Sequence, residues 1–256
     1  MLSQLNELRK ALLEIGILNY SVIYVYSDLR DFRLLYNKFP SKQIFLKTLL
    51  ELFQDLKLTI VMPTFSYTSS GIYDLTQTQC KLGALNSFIV SYPEVIRSEH
   101  PIFSFASIGT KSNIVSNVGK KAFGEDSLHA RLRQTDSAFL HLGHKFQSGN
   151  TIIHHIEELN AVPYRYEKVF DTKVFNRDTY IGTGYSAYVR KLDNPNNNYA
   201  FSYEKPAHDL SKSSLIKSHV LFDLNTSVAL MPVSEVFNLL NCGLKRDPNY
   251  FLKIEQ

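Results

Sequence analysis

The stretch SKQIFLKTLLELFQDLKLTIVMP, residues 41–63, joins a helical pattern directly to a strand pattern. Residues 41–56 carry apolar side chains at helical spacing behind Ser41, a residue type that favours helix N-caps. Residues 58–63 form a short apolar run that Pro63 ends, which is typical of a buried strand. The stretch therefore predicts a helix followed at once by a core strand.

The residues before this stretch repeat the same order. An amphipathic helix is predicted over residues 3–15, ended by Gly16, and a β-branched and aromatic strand over 21–26. Helix–strand–helix–strand alternation predicts an α/β fold in which a central sheet is flanked by helices. Further predictions are a strand over 138–143, a helix from Thr151 to Leu159 entered through the turn 148–150, hairpins over 168–192, a polar loop over 191–206, and a short helix over 234–243 stopped by Gly243.

Composition limits the class of protein. With 256 residues and 44% hydrophobic content the chain can bury a substantial core, and we expect one domain over residues 1–256. The formal charge of +4 is too small to suggest a nucleic-acid binder. Cys80 and Cys242 lie far apart without ligand-like spacing, which fits a reducing cytoplasm and predicts no metal site. No signal peptide or membrane-length apolar run is evident, so we expect a cytoplasmic protein that does not contact membranes.

The segment NTIIHHIEE, residues 150–158, sets two histidines against two glutamates. On a helix His154 and Glu157 lie on the same side, and Asn150 or Thr151 can cap the N-terminus. One interpretation is an ordinary capped helix with a polar seam. The other is a general base, with the imidazole of His154 oriented by the Glu157 carboxylate. The HExxH spacing of zinc hydrolases is absent.

Two further segments place polar side chains in a loop or at the end of a strand, where binding sites are common. YPEVIRSEHPIFSFASIG, residues 92–109, contains Ser98 and His100, and Pro101 predicts a loop there. These two side chains either satisfy backbone groups of a turn or contribute to a site. VMPTFSY, residues 61–67, is a strand end that opens into a loop, where ligands of α/β proteins commonly bind.

Read in order, four segments resemble the aminoglycoside 3-N-acetyltransferase family. They are VMPTFSY, VIRSEHPIFSFASIG, AFGEDSLHARL and FLHLGHKFQSGNTIIHHIEELNAVPYR. The resemblance covers residues 20–167 well and the C-terminal third poorly. It departs from the family pattern at Tyr26, where a histidine is usual, and at Phe32 and Glu94, where glycines are usual.

The resemblance implies an α/β fold of the family's own kind and acyl transfer from acyl-coenzyme A to a primary amine on a sugar. It implies His154 as the catalytic base and Glu157 as the carboxylate behind it. Hydroxyls or amides near Thr64 or Thr151 are expected to stabilise the oxyanion, and Arg97, Arg131 and Arg133 are candidates for the coenzyme phosphates. The expected coenzyme contacts are Ser27, Thr64, Ser98, His100 and Ser127, and the expected acceptor contacts are Tyr67, Arg97 and Thr151.

The acceptor is inferred from charge. Aminoglycosides are polycations and prefer a cleft with several carboxylates, whereas this chain is mildly basic. We therefore expect a nucleotide-linked amino sugar of cell-surface polysaccharide (lipopolysaccharide) synthesis as the acceptor, with aminoglycoside acetylation as the alternative. A non-catalytic homologue that binds coenzyme A is a second alternative. A monomer or homodimer is expected, with no nucleic-acid partner.

Overall fold

The structure, a computed structural model, describes residues 2–143, 150–191 and 200–253. Its helices are α1 (Leu2–Glu14), α2 (Arg33–Tyr36), α3 (Lys42–Asp55), α4 (Ala84–Ile89), α5 (Leu128–Gln134), α6 (Ile152–Leu159), α7 (Glu204–Lys212) and α8 (Val233–Arg246). Its strands are β1 (Val22–Ser27), β2 (Thr59–Pro63), β3 (Ser70–Asp74), β4 (Ile96–Arg97), β5 (Phe105–Ile108), β6 (Ser137–Leu142), β7 (Arg165–Asn176), β8 (Thr179–Gly182), β9 (Tyr185–Arg190), β10 (Lys217–Leu221) and β11 (Thr226–Pro232).

The larger sheet has the strand order β10-β11-β6-β1-β2-β5-β4 in the described part of the chain. Its centre is parallel, because β1 runs in the same direction as β2 and β6, and its outer strands are antiparallel. Helix α3 supplies the crossover between β1 and β2, and Ser41 caps it by accepting a hydrogen bond from the backbone N–H of Ile44. The predicted α/β fold with a central sheet between helices is confirmed.

The alternation of β1 divides the core between the two faces of this sheet. Ile23 and Val25 pack with α1 and α3 on one face. Tyr24 and Tyr26 point to the other face, which is covered by residues of α5, α6 and α8. The helix that carries His154 therefore packs on the tyrosine face of β1.

A second sheet is built on the long strand β7. Its first half pairs with β9, and its second half pairs in parallel with β3 and antiparallel with β8. Strand β7 begins at Arg165, shortly after the end of α6. Arg165 and the paired strand β9 therefore lie beside the helix that carries His154. The hairpins predicted over residues 168–192 correspond to this sheet.

Two sequence predictions need correction. The predicted loop over 191–206 ends earlier, because α7 begins at Glu204, with Pro206 in the first turn where its missing N–H costs nothing. Gly243 does not stop the last helix, which continues to Arg246. Gly243 is instead covered by the Tyr250 ring, whose Cε1 would lie 2.6 Å from an added Cβ.

Parts of two predicted segments lie outside the described residues. They are residues 148–149 of the turn before α6 and residues 192–199 of the polar loop. In the part of the chain that the structure describes, no helix combines the length and apolar character of a membrane span.

Candidate active site

The pair predicted by spacing on α6 is formed. Nδ1 of His154 lies 3.1 Å from Oε2 of Glu157, one helical turn later. The Glu157 side chain is fully buried, whereas the His154 side chain keeps 23% of its surface exposed. The imidazole is thus reachable from solvent and the carboxylate is enclosed behind it.

The surroundings of His154 favour the neutral imidazole. Its ring packs against Phe123 and Phe201, with centroid distances of 5.2 and 5.7 Å. Burial lowers the pKa of His154; Glu157 opposes this shift, and the positive charges of Arg165 and Arg190 add to it. When Nδ1–H donates to Glu157, the lone pair of Nε2 is left as the proton acceptor. This arrangement can act chemically as a general base with an orienting carboxylate.

His155, the other histidine of the motif, is held inside the protein. Its Nδ1 lies 2.6 Å from the carbonyl oxygen of Phe123, and its Nε2 lies 3.2 Å from Nη1 of Arg133. Burial lowers the pKa of His155 to about 4. Both ring nitrogens are engaged, so His155 links α6 to its surroundings and has no lone pair for a substrate.

Thr151, at the start of α6, faces inward. Its hydroxyl makes no cap bond to the helix, contrary to the capping expectation, because it meets three buried groups. They are Nε2 of His129 at 2.9 Å, the Tyr24 hydroxyl at 3.2 Å and the Tyr26 hydroxyl at 3.4 Å. The hydroxyl of Thr151 thus ties the N-terminus of α6 to β1 and α5, and its role towards an acceptor or oxyanion stays a prediction.

Three expected coenzyme contacts are buried and bonded to the backbone. Ser98 accepts from the N–H of Phe105 at 2.8 Å, and Ser127 caps α5. His100 has Nε2 2.9 Å from the Ser186 carbonyl, while Nδ1 accepts from two backbone N–H groups; burial lowers its pKa to about 4. Ser98 and His100 therefore satisfy backbone groups of a turn, which is one of the two interpretations of their sequence. Direct coenzyme contact by these three residues stays a prediction.

Arg97 braces the loop that follows β2. Its guanidinium donates to the carbonyl oxygens of Thr64, Leu75 and Thr78, and approaches Oγ1 of Thr64 at 3.3 Å. Thr64 is fully buried, and its hydroxyl also lies 3.2 Å from the Ser104 hydroxyl. Tyr67 lies further along this loop, about half exposed and with a left-handed φ of 54°. Of the three, Tyr67 has the most surface available to an acceptor.

The remaining predicted positions are Ser27 at the end of β1 and two arginines of helix α5, Arg131 and Arg133. Ser27 ends β1, and the segment after it borders a cavity of about 810 Å³ whose cationic lining residues are Arg30, Arg33 and Lys42. Arg131 donates to backbone carbonyls between Ile114 and Asn117. Arg133 stacks on Phe237 with its guanidinium carbon 3.4 Å from the ring centroid. The cations beside the cavity were not among the predicted phosphate contacts.

Arg165 is the main site residue to which sequence reasoning gave no role. Its Nε lies 2.9 Å from Oε2 of Glu157, an ion-pair contact, and Nη2 lies 3.0 Å from Nδ1 of His154. The motif VPYR contains it, but helical spacing says nothing about a residue on the next strand. Within the described residues, no three His, Cys, Asp or Glu side chains are grouped to hold a metal ion.

Comparisons with known proteins identify one family. A family model described as aminoglycoside 3-N-acetyltransferase matches residues 40–238. Aminoglycoside acetyltransferase AAC(3)-IVa in complex with a gentamicin is 23% identical, with a TM-score of 0.75 over 97% of this chain and 91% of that chain. YokD from Bacillus subtilis is 17% identical, with a TM-score of 0.74 over 95% and 94% of the two chains.

A further solved structure, AAC-IIIb binary with CoASH, is 15% identical, with a TM-score of 0.73 over 97% of each chain. A comparison with curated protein sequences gave no match. The solved structures establish the fold, and the family model covers well over half of the chain. The resemblance inferred from the four motifs is thus confirmed, and the chain belongs to the aminoglycoside 3-N-acetyltransferase family.

Proposed function

We propose that this protein transfers an acetyl group from acetyl-coenzyme A to a primary amine of an aminoglycoside. The observation that carries the proposal is the half-open imidazole of His154 with the buried carboxylate of Glu157 on its Nδ1. Membership of the family supports the acyl transfer, and relatives solved with a gentamicin and with sisomicin support this class of acceptor.

The sugar ammonium loses two protons on its way to the amide, one before the attack on the thioester and one as the N–C bond forms. A sugar ammonium first loses a proton to solvent, and the free amine then attacks the thioester carbonyl. As the N–C bond forms, Nε2 of His154 takes the second amine proton, and the imidazolium is stabilised by Glu157. The C–S bond breaks, and the coenzyme thiolate leaves and recovers the proton from His154. Cys80 and Cys242 have no place in this direct transfer.

The coenzyme is proposed to lie at the cavity beside the end of β1. Arg33 and Lys42 supply cations for its phosphates, whereas Arg30 is paired with Asp28. The apolar side chains of Leu34, Phe45 and Leu46 border the same space. Asp28 caps the turn by accepting from the N–H of Arg30, which fixes the start of this segment. A solved relative in complex with coenzyme A supports an acyl-coenzyme A donor.

A nucleotide-linked amino sugar is the second candidate acceptor, and the comparisons support it less than an aminoglycoside. One specific observation favours it. Arg190 and Arg165 both stack on Phe201, at 5.1 and 5.0 Å from its centroid, beside His154. Arg165 is buried against Glu157, so the exposed guanidinium of Arg190 is the cation here that suits an acceptor carrying phosphate better than a polycation. A non-catalytic protein that binds coenzyme A is the third candidate.

The experiment that separates these candidates offers acetyl-coenzyme A with one acceptor at a time and follows the release of free thiol. Gentamicin and sisomicin represent the first class, and a nucleotide-linked 3- or 4-amino sugar represents the second. Thiol release with an aminoglycoside, together with an N-acetylated product by mass spectrometry, is the expected result. Release with the nucleotide sugar alone would replace the proposal by the second candidate. Coenzyme binding without release from any acceptor would leave the third.

A further inference from the structure

Arg165 is a buried cation that contacts both members of the proposed catalytic pair. Besides its contacts with Glu157 and His154, its Nη1 donates to the carbonyl oxygen of Tyr188 at 2.8 Å, which anchors it to β9. Its side chain is 5% exposed, and its guanidinium stacks on Phe201. Arg165 is therefore a fixed part of the wall behind His154.

Nδ1 of His154 faces a carboxylate and a guanidinium at nearly equal distances, 3.1 and 3.0 Å. With a proton on Nδ1 the ring donates to Glu157, and without one it accepts from Nη2 of Arg165. The imidazole is neutral in both arrangements, and the first one, with the proton on Nδ1, leaves Nε2 able to accept a proton. A doubly protonated imidazolium cannot accept from Arg165 and would place a second cation 3.0 Å from the guanidinium.

Without the guanidinium, the same pair would behave differently. Glu157 is fully buried, and its charge needs a partner there. If Arg165 were absent, the nearest available cation would be the imidazolium of His154 itself. The carboxylate would then hold a proton on both ring nitrogens and remove the base from its working state.

We propose that Arg165 is a positioning residue that pairs with Glu157 and thereby keeps the imidazole of His154 neutral and ready to accept a proton. The proposal goes beyond the proposed function, on which it rests only for the identity of the proton donor. Among the described residues, the charged or titratable groups facing His154 are Glu157 of α6, Arg165 of β7, Arg190 of β9 and His129 of α5.

The direct test is the titration of the His154 ring followed by nuclear magnetic resonance, with its signals assigned by their loss in His154→Gln. In Arg165→Met, which keeps the length of the side chain and removes its charge, we expect the titration midpoint to rise by about one pH unit or more. Arg165→Lys keeps a cation but loses the planar guanidinium that contacts both side chains. The titration midpoint should therefore rise less than in Arg165→Met. An unchanged midpoint in folded Arg165→Met overturns the proposal; if that variant does not fold, an unchanged midpoint in Arg165→Lys does.

Arg133 provides a matched control, because it makes the equivalent contact with the neighbouring His155. Arg133→Met should leave the His154 midpoint in place, and an equal rise there would contradict a specific role for Arg165. The titration needs neither coenzyme nor acceptor. A raised midpoint in a protein that acetylates nothing would therefore reject the proposed function and retain the positioning role. In an active protein, the acidic limb of the kcat profile should move together with the midpoint.

Discussion

His154 combines an open edge with a buried partner, which is what separates it from the other histidines of the site. His155 and His129 lie on the same face of the larger sheet, yet both are fully buried and engaged by protein groups. If His154 alone serves as the base, its loss should slow the transfer step and leave coenzyme binding intact.

We expect His154→Gln to lower kcat by about 10²–10⁴-fold, the usual contribution of a general base. The affinity for acetyl-coenzyme A, measured by calorimetry, should change little. His208→Asn is the control, because His208 is an exposed histidine on α7. A His154→Gln protein with near-normal turnover would remove the imidazole from the mechanism.

Glu157 and Arg165 form a buried ion pair whose disruption should be costly. In Glu157→Gln the guanidinium stays buried without its counter-charge, and we expect the free energy of unfolding in urea to fall by about 3–5 kcal/mol. The exposed pair between Lys121 and Glu167 offers the comparison, since Glu167→Gln should cost about 1 kcal/mol or less. Equal costs for the two substitutions would show that burial does not set the strength of the inner pair.

Local sequence patterns predict those helices and strands that a cap or a continuous apolar run marks. Helix α3 and strands β1 and β2 were predicted within a residue or two, because a cap and continuous apolar runs mark them. Helix α7 was missed, since its sequence EKPAHDLSK is largely polar and contains a proline. The parallel pairing of β3 with β7 joins segments that lie far apart in sequence, and no short-range signal reports such a pairing.

Gly243 shows how a distant side chain overrides local preference. A glycine within a helix is ordinarily about 1 kcal/mol less favourable than alanine, so Gly243→Ala should stabilise an isolated helix. Here the added Cβ would lie closer than 3.0 Å to atoms of the Tyr250 ring. We expect Gly243→Ala to lower the free energy of unfolding by about 1–3 kcal/mol.

The same substitution in a Tyr250→Leu background should cost less, because the smaller side chain can move away. Cys242→Ala changes the adjacent, exposed helix position and is expected to be nearly neutral. If Gly243→Ala were more stable than the wild type, the Tyr250 ring would have to move away from the added Cβ with no loss of free energy.

The sequence predicts contacts of the candidate site only where both residues lie on one helix. The spacing of His154 and Glu157 brought them together on α6, whereas Arg165 and Phe201 reach them from other parts of the chain. The order of the motifs indicated Ser98 and His100 as site residues. It gave no information on their burial. Sequence spacing therefore predicted the contact between His154 and Glu157, and tertiary packing determines the environment of that pair.

Buried neutral histidines also link the stability of the whole molecule to pH. His100 and His155 have pKa values near 4 in the folded protein, against about 6.5 in an unfolded chain. Between these values the unfolded state binds more protons, so the free energy of unfolding falls as pH decreases from about 6.5 to 4. Each histidine contributes up to about 3 kcal/mol to this loss.

Urea unfolding at pH 7, 6 and 5 measures the slope of the free energy of unfolding against pH. These pH values lie above the range in which ordinary carboxylates titrate. We expect His155→Gln and His100→Asn each to reduce the slope by up to one proton, even where the substitution lowers stability at every pH. His208→Asn is the control, because it replaces an exposed histidine. If all three variants retained the wild-type slope, the pH dependence would have to come from other groups, and both buried histidines would titrate alike in the folded and unfolded states.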